Sequence, residues 1–233
     1  MILYKTFLIT SLLAFNYLQA LPQEDIIFNA KNNDFQQLTG LTETQLTPIL
    51  TFLCHEEKDC SWVKEYPIIT NLIHSMNLRV GCEIGVAYGF QSIFFLENSN
   101  IEKLYSIDPY QHFPDYDDFM NFSQPYFDVL YHRVNLRLSV FKEKSCLLRM
   151  TSTEAAKQFN SNSLDFIYID GDHSYKAVTA DLEAWFDKIR SGGLVSGDDY
   201  VVFPTTARAV NDFVHNQKIE LYTTGNKWWF IKP

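Results

Sequence analysis

The sequence predicts an α/β fold built on a mostly parallel sheet that closes on an antiparallel hairpin, and three stretches predict it. Leu164–Ile169 is a β-branched and aromatic run that stops at Asp170 and Gly171, and a helical stripe and a second short apolar run follow. Residues 78–84, LRVGCEI, form another such run and enter a turn carrying Gly85 and Gly89. Near the end, residues 219–223 and Lys227–Ile231 flank Thr224-Gly225-Asn226, the pattern of a hairpin.

Each element follows from its own residues. Residues 38–53 can form a helix or two interrupted at Pro48, and residues 62–76 read as another leading into the first strand. After the glycine turn, Phe90, Ile93, Phe94 and Leu96 give a helix an apolar side. Lys103–Ile107 is the second strand and ends at Asp108, 19 residues after Gly89. Such an acid is suited to holding the hydroxyls of a nucleoside ribose, and glycine turn and acid together point to a nucleoside-bearing cofactor. The aromatic and acidic loop 109–125 reads equally as a substrate lid or as a surface loop packed on the core. Residues 126–144 are expected to be helical, with Arg133, Arg137, Lys142 and Lys144 on the solvated face. Residues 146–150 form the third strand, and Thr151, Ser152 and Thr153 open a short helix through Phe159. Ser174 caps a helix with Val178, Leu182, Trp185, Phe186 and Ile189 as its stripe, Lys188 and Arg190 in its last turn and Gly192 and Gly193 as its stop. Residues 193–197 are the next strand, and residues 205–216 the last helix.

A right-handed crossover between these two strands brings Asp170 and Asp172 to the same sheet edge as Asp198 and Asp199. Ligands of open α/β sheets bind at that edge. Two carboxylates about 4 Å apart repel by roughly 4 kcal/mol at an effective dielectric of about 20. The cluster therefore calls for a positive partner, and its all-oxygen donors suit Mg²⁺, Mn²⁺ or Ca²⁺. Asp172 alone reads as a helix cap as readily as a catalyst, and His173 as a base or as a structural neighbour of the cap.

The 233 residues carry 28 acidic against 19 basic side chains, a net charge of -9 with no basic run, which argues against a nucleic-acid partner. Residues 1–20 read as a secretory signal cut after Ala20, too short for a comfortable membrane span, which points to export or a secretory compartment; a membrane tether, or a merely packed helix in a cytoplasmic protein, is the alternative. Residues 21–65 are expected as a helical extension that covers the cleft or makes a packing or dimer contact, and residues 66–233 as the main domain. Cys54 and Cys60 are near enough in sequence to pair in an oxidising compartment, whereas Cys82 and Cys146 fall in core strands.

Four motifs, CEIGVAYG, YSIDPY, LDFIYIDGDHSY and SGGLVSGDDY, occur in this order. With them, residues 62–233 resemble the class I S-adenosylmethionine-dependent methyltransferases, specifically methyltransferase domain family 24, and are similar to the macrocin and novobiocin sugar O-methyltransferases. The resemblance implies a Rossmann-like seven-stranded, mostly parallel sheet with helices on both faces. It implies that Glu83, Gly85, Gly89 and Asp108 hold the methionine and ribose of the cofactor, with Ala87 in the middle glycine place, Asp170 beside the turn, and Ser152 and Thr153 near the adenine. It further implies Asp170, Asp198 and Asp199 as Mg²⁺ ligands and Asp172 as base. The acceptor would be a small molecule or sugar with neighbouring hydroxyls. The chain departs from the family in Ala87 and in the export signal, since S-adenosylmethionine is made in the cytosol. A metal-free methyltransferase with His173 or Asp172 as base, a dinucleotide oxidoreductase and a non-catalytic binding protein are the other classes the residues admit.

Overall fold

The structure, a computed structural model, describes residues 32–58, 67–116 and 118–233. The signal-like segment and Cys60, and with it the Cys54–Cys60 pairing, lie outside the described residues. The chain divides into two units, Met1–Pro48 and Ile49–Pro233. In the first, helix α1 (Asn32–Thr39) ends at Gly40, whose φ of 70° is the left-handed conformation that closes a helix. Helix α2 (Glu43–Lys58) runs through Pro48 without a break. No described helix is long and apolar enough to cross a membrane.

The second unit is a seven-stranded sheet. After α3 (Pro67–Ser75) come β1 (Val80–Ile84), α4 (Phe90–Asn98), β2 (Lys103–Ile107), α5 (Gln124–Ser139), a 3-10 turn (Lys142–Lys144), β3 (Ser145–Leu148) and α6 (Ser152–Ala156). Then follow β4 (Leu164–Ile169), α7 (Tyr175–Phe186), β5 (Ile189–Gly197), α8 (Pro204–Gln217), β6 (Tyr222–Thr224) and β7 (Lys227–Ile231). The strand order is β3-β2-β1-β4-β5-β7-β6; β1 to β5 pair in parallel, and β7 runs antiparallel to both β5 and β6. The order reverses between β1 and β4, and such a reversal opens a crevice at the carboxyl ends of the strands.

Burial accounts for the sequence pattern. Four of the five residues of β1 and five of the six of β4 are buried, as expected of strands covered on both faces. Asp165 interrupts β4 because its Oδ2 accepts the Arg79 and Val80 N–H groups at 2.7 and 2.8 Å and its Oδ1 the Arg190 Nε at 2.6 Å. That arrangement sits at the opposite sheet edge from the crevice.

Besides the interruption expected at Pro48, three expectations need correction. Helix α7 ends at Phe186, and Ile189 and Arg190 already belong to β5. The pairing of β5 with β4 shifts between Leu164 and Phe166, and Gly192 at φ 73° and Gly193, where a Cβ would lie 2.6 Å from Asp165 O, take the irregularity. On α5, Arg133 is buried and Arg137 turns inward, donating to Tyr88 O at 3.0 Å. On α4 the buried face is Gln91, Ser92, Phe95 and Leu96, so two polar residues face inward where Phe90, Ile93 and Phe94 were expected.

Candidate active site

The turn after β1 is fixed from several sides. Gly85 has φ 81°, its N–H donates to Ile107 O at 2.9 Å, and a Cβ there would fall 2.0 Å from Asp170 O. Only glycine permits β1 and β4 to end this close together. Gly89, at φ 79°, precedes α4, and a Cβ there would meet Val134 Cγ1 at 2.9 Å. Ala87, in the middle glycine place, adopts φ 46° all the same.

Asp108 holds that strained backbone. Its Oδ2 accepts the N–H groups of Val86 at 2.9 Å and Ala87 at 3.1 Å, and its Oδ1 accepts Tyr110 N–H at 2.8 Å. Burial pushes the carboxyl up, and these bonds oppose it. The acid expected to meet a ribose is thus also the clamp of the turn. Tyr110, fully buried, adds a second latch by donating its hydroxyl to Ala87 O at 2.9 Å.

A pocket of about 900 Å³ lies over this turn and reaches both acidic loops. Glu83 is at its floor, bonded by the hydroxyls of Ser92 and Ser106, and burial lifts its carboxyl from 4.5 to about 8 against those bonds. Ser152 and Thr153 line another side. They stand there because Thr151 and Glu154 form a capping box at the start of α6. Ser152 donates to Asp181 Oδ1 at 2.5 Å and accepts Trp185 Nε1–H at 2.8 Å; burial lifts Asp181 from 3.8 to about 6. Loop 109–123 supplies a wall through Phe113, Tyr116, Phe119 and Met120, and Asn121 braces it with bonds to Phe113 O and Tyr116 O at 2.7 and 2.6 Å.

Asp170, Asp172, His173, Asp198 and Asp199 all line the pocket, but their partners differ from those expected. Asp172 is exposed and its Oδ1 accepts Ser174 N–H at 2.8 Å, the contact of a turn former. His173 Nδ1 lies 3.2 Å from Asp199 Oδ2, and its ring stacks on Phe203 at 4.2 Å between centroids. The positive partner of the cluster is Lys227, whose ammonium bonds Asp198 Oδ2. That oxygen also accepts the Tyr168 hydroxyl at 3.1 Å, and Oδ1 accepts Asp199 N–H at 2.8 Å. Burial, then the charges of Asp198 and Asp199, raise Asp170 well above the usual carboxylate range. Among the described residues no three His, Cys, Asp or Glu side chains are grouped to hold a metal ion. Asp170, Asp198 and Asp199, expected as Mg²⁺ ligands, stand close enough for their charges to act on one another, and here the Lys227 ammonium supplies the counter-charge.

Sequence reasoning missed Lys227, Gln91, Asp181 and Tyr110. Lys227 had a signal: in a hairpin antiparallel to β5, the residue before Trp228 falls beside Asp198, since Trp228 pairs with Gly197.

A family model described as a methyltransferase domain matches residues 82–200, more than half of the chain and nearly all of the site just described. The chain belongs to this methyltransferase domain family. The O-methyltransferase NovP superposes with a TM-score of 0.57 at 16% identity, over 73% of this chain and 78% of NovP. The methyltransferase PaMTH1 of Podospora anserina, solved with S-adenosylhomocysteine, gives 0.52 at 9% identity, over 73% and 78%. A Sinorhizobium fredii protein, y4gI, itself uncharacterised, is 30% identical over 139 residues, which are 58% of this chain. This methyltransferase-family chain spans 14% of that relative's length. Expected family and expected fold are both met: the sheet order and closing hairpin are those of a class I methyltransferase. Lys227 lies beyond the span that the family model matches.

Proposed function

We propose that the chain is an S-adenosylmethionine-dependent O-methyltransferase in which His173, held by Asp199, takes the proton from a hydroxyl of a small-molecule acceptor. The observation that carries this is the 3.2 Å approach of Asp199 Oδ2 to His173 Nδ1 on the wall of the pocket. A carboxylate at Nδ1 fixes the ring and favours the tautomer whose Nε2 accepts a proton.

The pocket's own residues fit the cofactor. Gln91 is 6% exposed, lines the pocket, and neither Oε1 nor Nε2 has a hydrogen-bond partner among the described residues. A buried amide left with both donor and acceptor unmet favours a ligand that offers both. The ammonium and carboxylate of a methionine moiety do so. Glu83, Gly85, Ala87, Gly89 and Asp108 would hold the methionine and ribose, with Asp170 beside them. Ser152, Thr153 and Asp181 would face the adenine. S-adenosylmethionine, when bound, supplies an electrophilic methyl group on a sulfonium. The chain's part is to orient the acceptor oxygen in line with that methyl, keep water out and hold the proton at His173 Nε2.

The Mg²⁺ expected from the resemblance has no place in this reading, and no step runs through a metal. Chelation was also the reason to expect neighbouring hydroxyls. The walls offered by Phe113, Phe119, Met120 and Phe203 favour an aromatic, phenol- or catechol-like acceptor over a sugar.

Incubating the full chain with methyl-tritiated S-adenosylmethionine and matched phenolic, sugar and amine acceptors tests the proposal. Label on a phenolic oxygen, lost in His173→Ala, is the expected result. Label on amines alone, or transfer untouched by that substitution, overturns it.

A further inference from the structure

The positive charge inside the acidic cluster comes from the last strand of the sheet. Lys227 opens β7; its neighbour Trp228 pairs with Gly197, and this register puts the lysine beside the acids that follow β5. Lys227 is only 2% exposed although it borders the pocket, so its ammonium is held against Asp198 with little access to water. The same ammonium lies 5.9 Å from the centre of the Tyr168 ring, the ring whose hydroxyl donates to Asp198. It therefore sits between an aromatic face and a carboxylate, both of which favour a monovalent cation there.

The contact extends toward the reacting groups. Lys227 bonds Asp198 Oδ2; Asp198 Oδ1 accepts the N–H of Asp199; and Asp199, in the left-handed conformation at φ 65°, meets His173 Nδ1. Each link fixes the next. Without the ammonium, three half-buried carboxylates would share the ends of β4 and β5 with only the imidazole of His173 beside them.

We propose that Lys227 is the resident cation of this site: its ammonium occupies the place of a divalent ion and, through Asp198 and Asp199, positions His173, so that the chain binds its cofactor and transfers methyl groups without a metal. This rests on the methyltransferase reading above. A divalent ion at Asp198 would have to enter beside a buried ammonium and compete for the same oxygen, and like charges at that separation repel. Lys227 is a positioning residue, since it acts through Asp198 and Asp199 on the histidine.

The experiment is a calorimetric titration of the full chain, first with S-adenosylhomocysteine and then, in its presence, with MnCl₂. The wild type is expected to bind the first and show no stoichiometric Mn²⁺ site. Lys227→Ala, which keeps the carboxylates and opens space among them, is expected to gain one Mn²⁺ per chain, and Asp198→Asn in that background to lose it again. Binding of S-adenosylhomocysteine together with one Mn²⁺ by the wild type overturns the inference alone. So does a Lys227→Ala chain that binds S-adenosylhomocysteine and gains no Mn²⁺. A wild type that binds no S-adenosylhomocysteine overturns the methyltransferase reading and this inference with it.

Discussion

Asp199 Oδ2 and His173 Nδ1 lie 3.2 Å apart although the two residues come from different sheet loops, one after β5 and one after β4. The pair forms because the two strands are parallel neighbours whose ends meet. It is stabilised from behind by Phe203 and by Thr205, whose hydroxyl donates to His173 O at 2.7 Å. A carboxylate so placed acts only through the imidazole.

His173→Ala should lower kcat by about 10²- to 10⁴-fold and leave the affinity for S-adenosylhomocysteine unchanged. Asp199→Ala should cost less, and adding it to His173→Ala should cost little more, because both substitutions remove one device. Steady-state kinetics of the two single variants and the double variant check this; additive losses would separate the residues.

Gly85→Ala should lower the melting temperature and abolish cofactor binding, since the new Cβ would lie 2.0 Å from Asp170 O at a φ of 81°. Gly171→Ala is the control, as a Cβ there meets only Ile84 Cγ2 at 3.6 Å. Thermal unfolding of the two variants side by side should show a clear loss for the first and a small change for the second.

Stability should fall as pH rises from 4.5 to about 8, because burial lifts Glu83 across that interval. Within it the unfolded chain has released the proton that the folded chain keeps, so each unit of pH costs up to about 1.4 kcal/mol for this one group. Asp181, lifted from 3.8 to about 6, steepens the lower part of the same slope. Glu83→Gln keeps a neutral partner for Ser92 and Ser106 and should flatten the dependence, which denaturant unfolding at pH 5 and pH 8 would reveal.

The parts of the site that depend on local sequence were legible. Leu164–Ile169 and Lys103–Ile107 are strands with the expected ends, because a doubly covered strand is a mostly apolar run, here stopped by Asp170 and Asp108. Ser174 caps α7, its Oγ accepting Ala177 N–H at 3.2 Å, because a serine before an apolar stripe satisfies an otherwise unpaired N–H. What was not legible depends on partners distant in sequence. The charge balance of Asp198 is set by Lys227, 29 residues on and across an antiparallel register. Arg133 and Arg137 looked like a solvated face, yet one is buried and the other reaches Tyr88 O. Gln91 and Ser92 sit on the inner face of α4 because a buried carboxyl and the pocket lie there, and hydrophobic spacing cannot register a polar interior.

The pocket above Gly85 and Asp108 is proposed to hold S-adenosylmethionine. The most direct measurement is a calorimetric titration of the full chain with S-adenosylhomocysteine, set against NADH. One S-adenosylhomocysteine per chain is expected, weakened by Gln91→Ala, with no heat from NADH. Saturable binding of NADH with none of S-adenosylhomocysteine would contradict it.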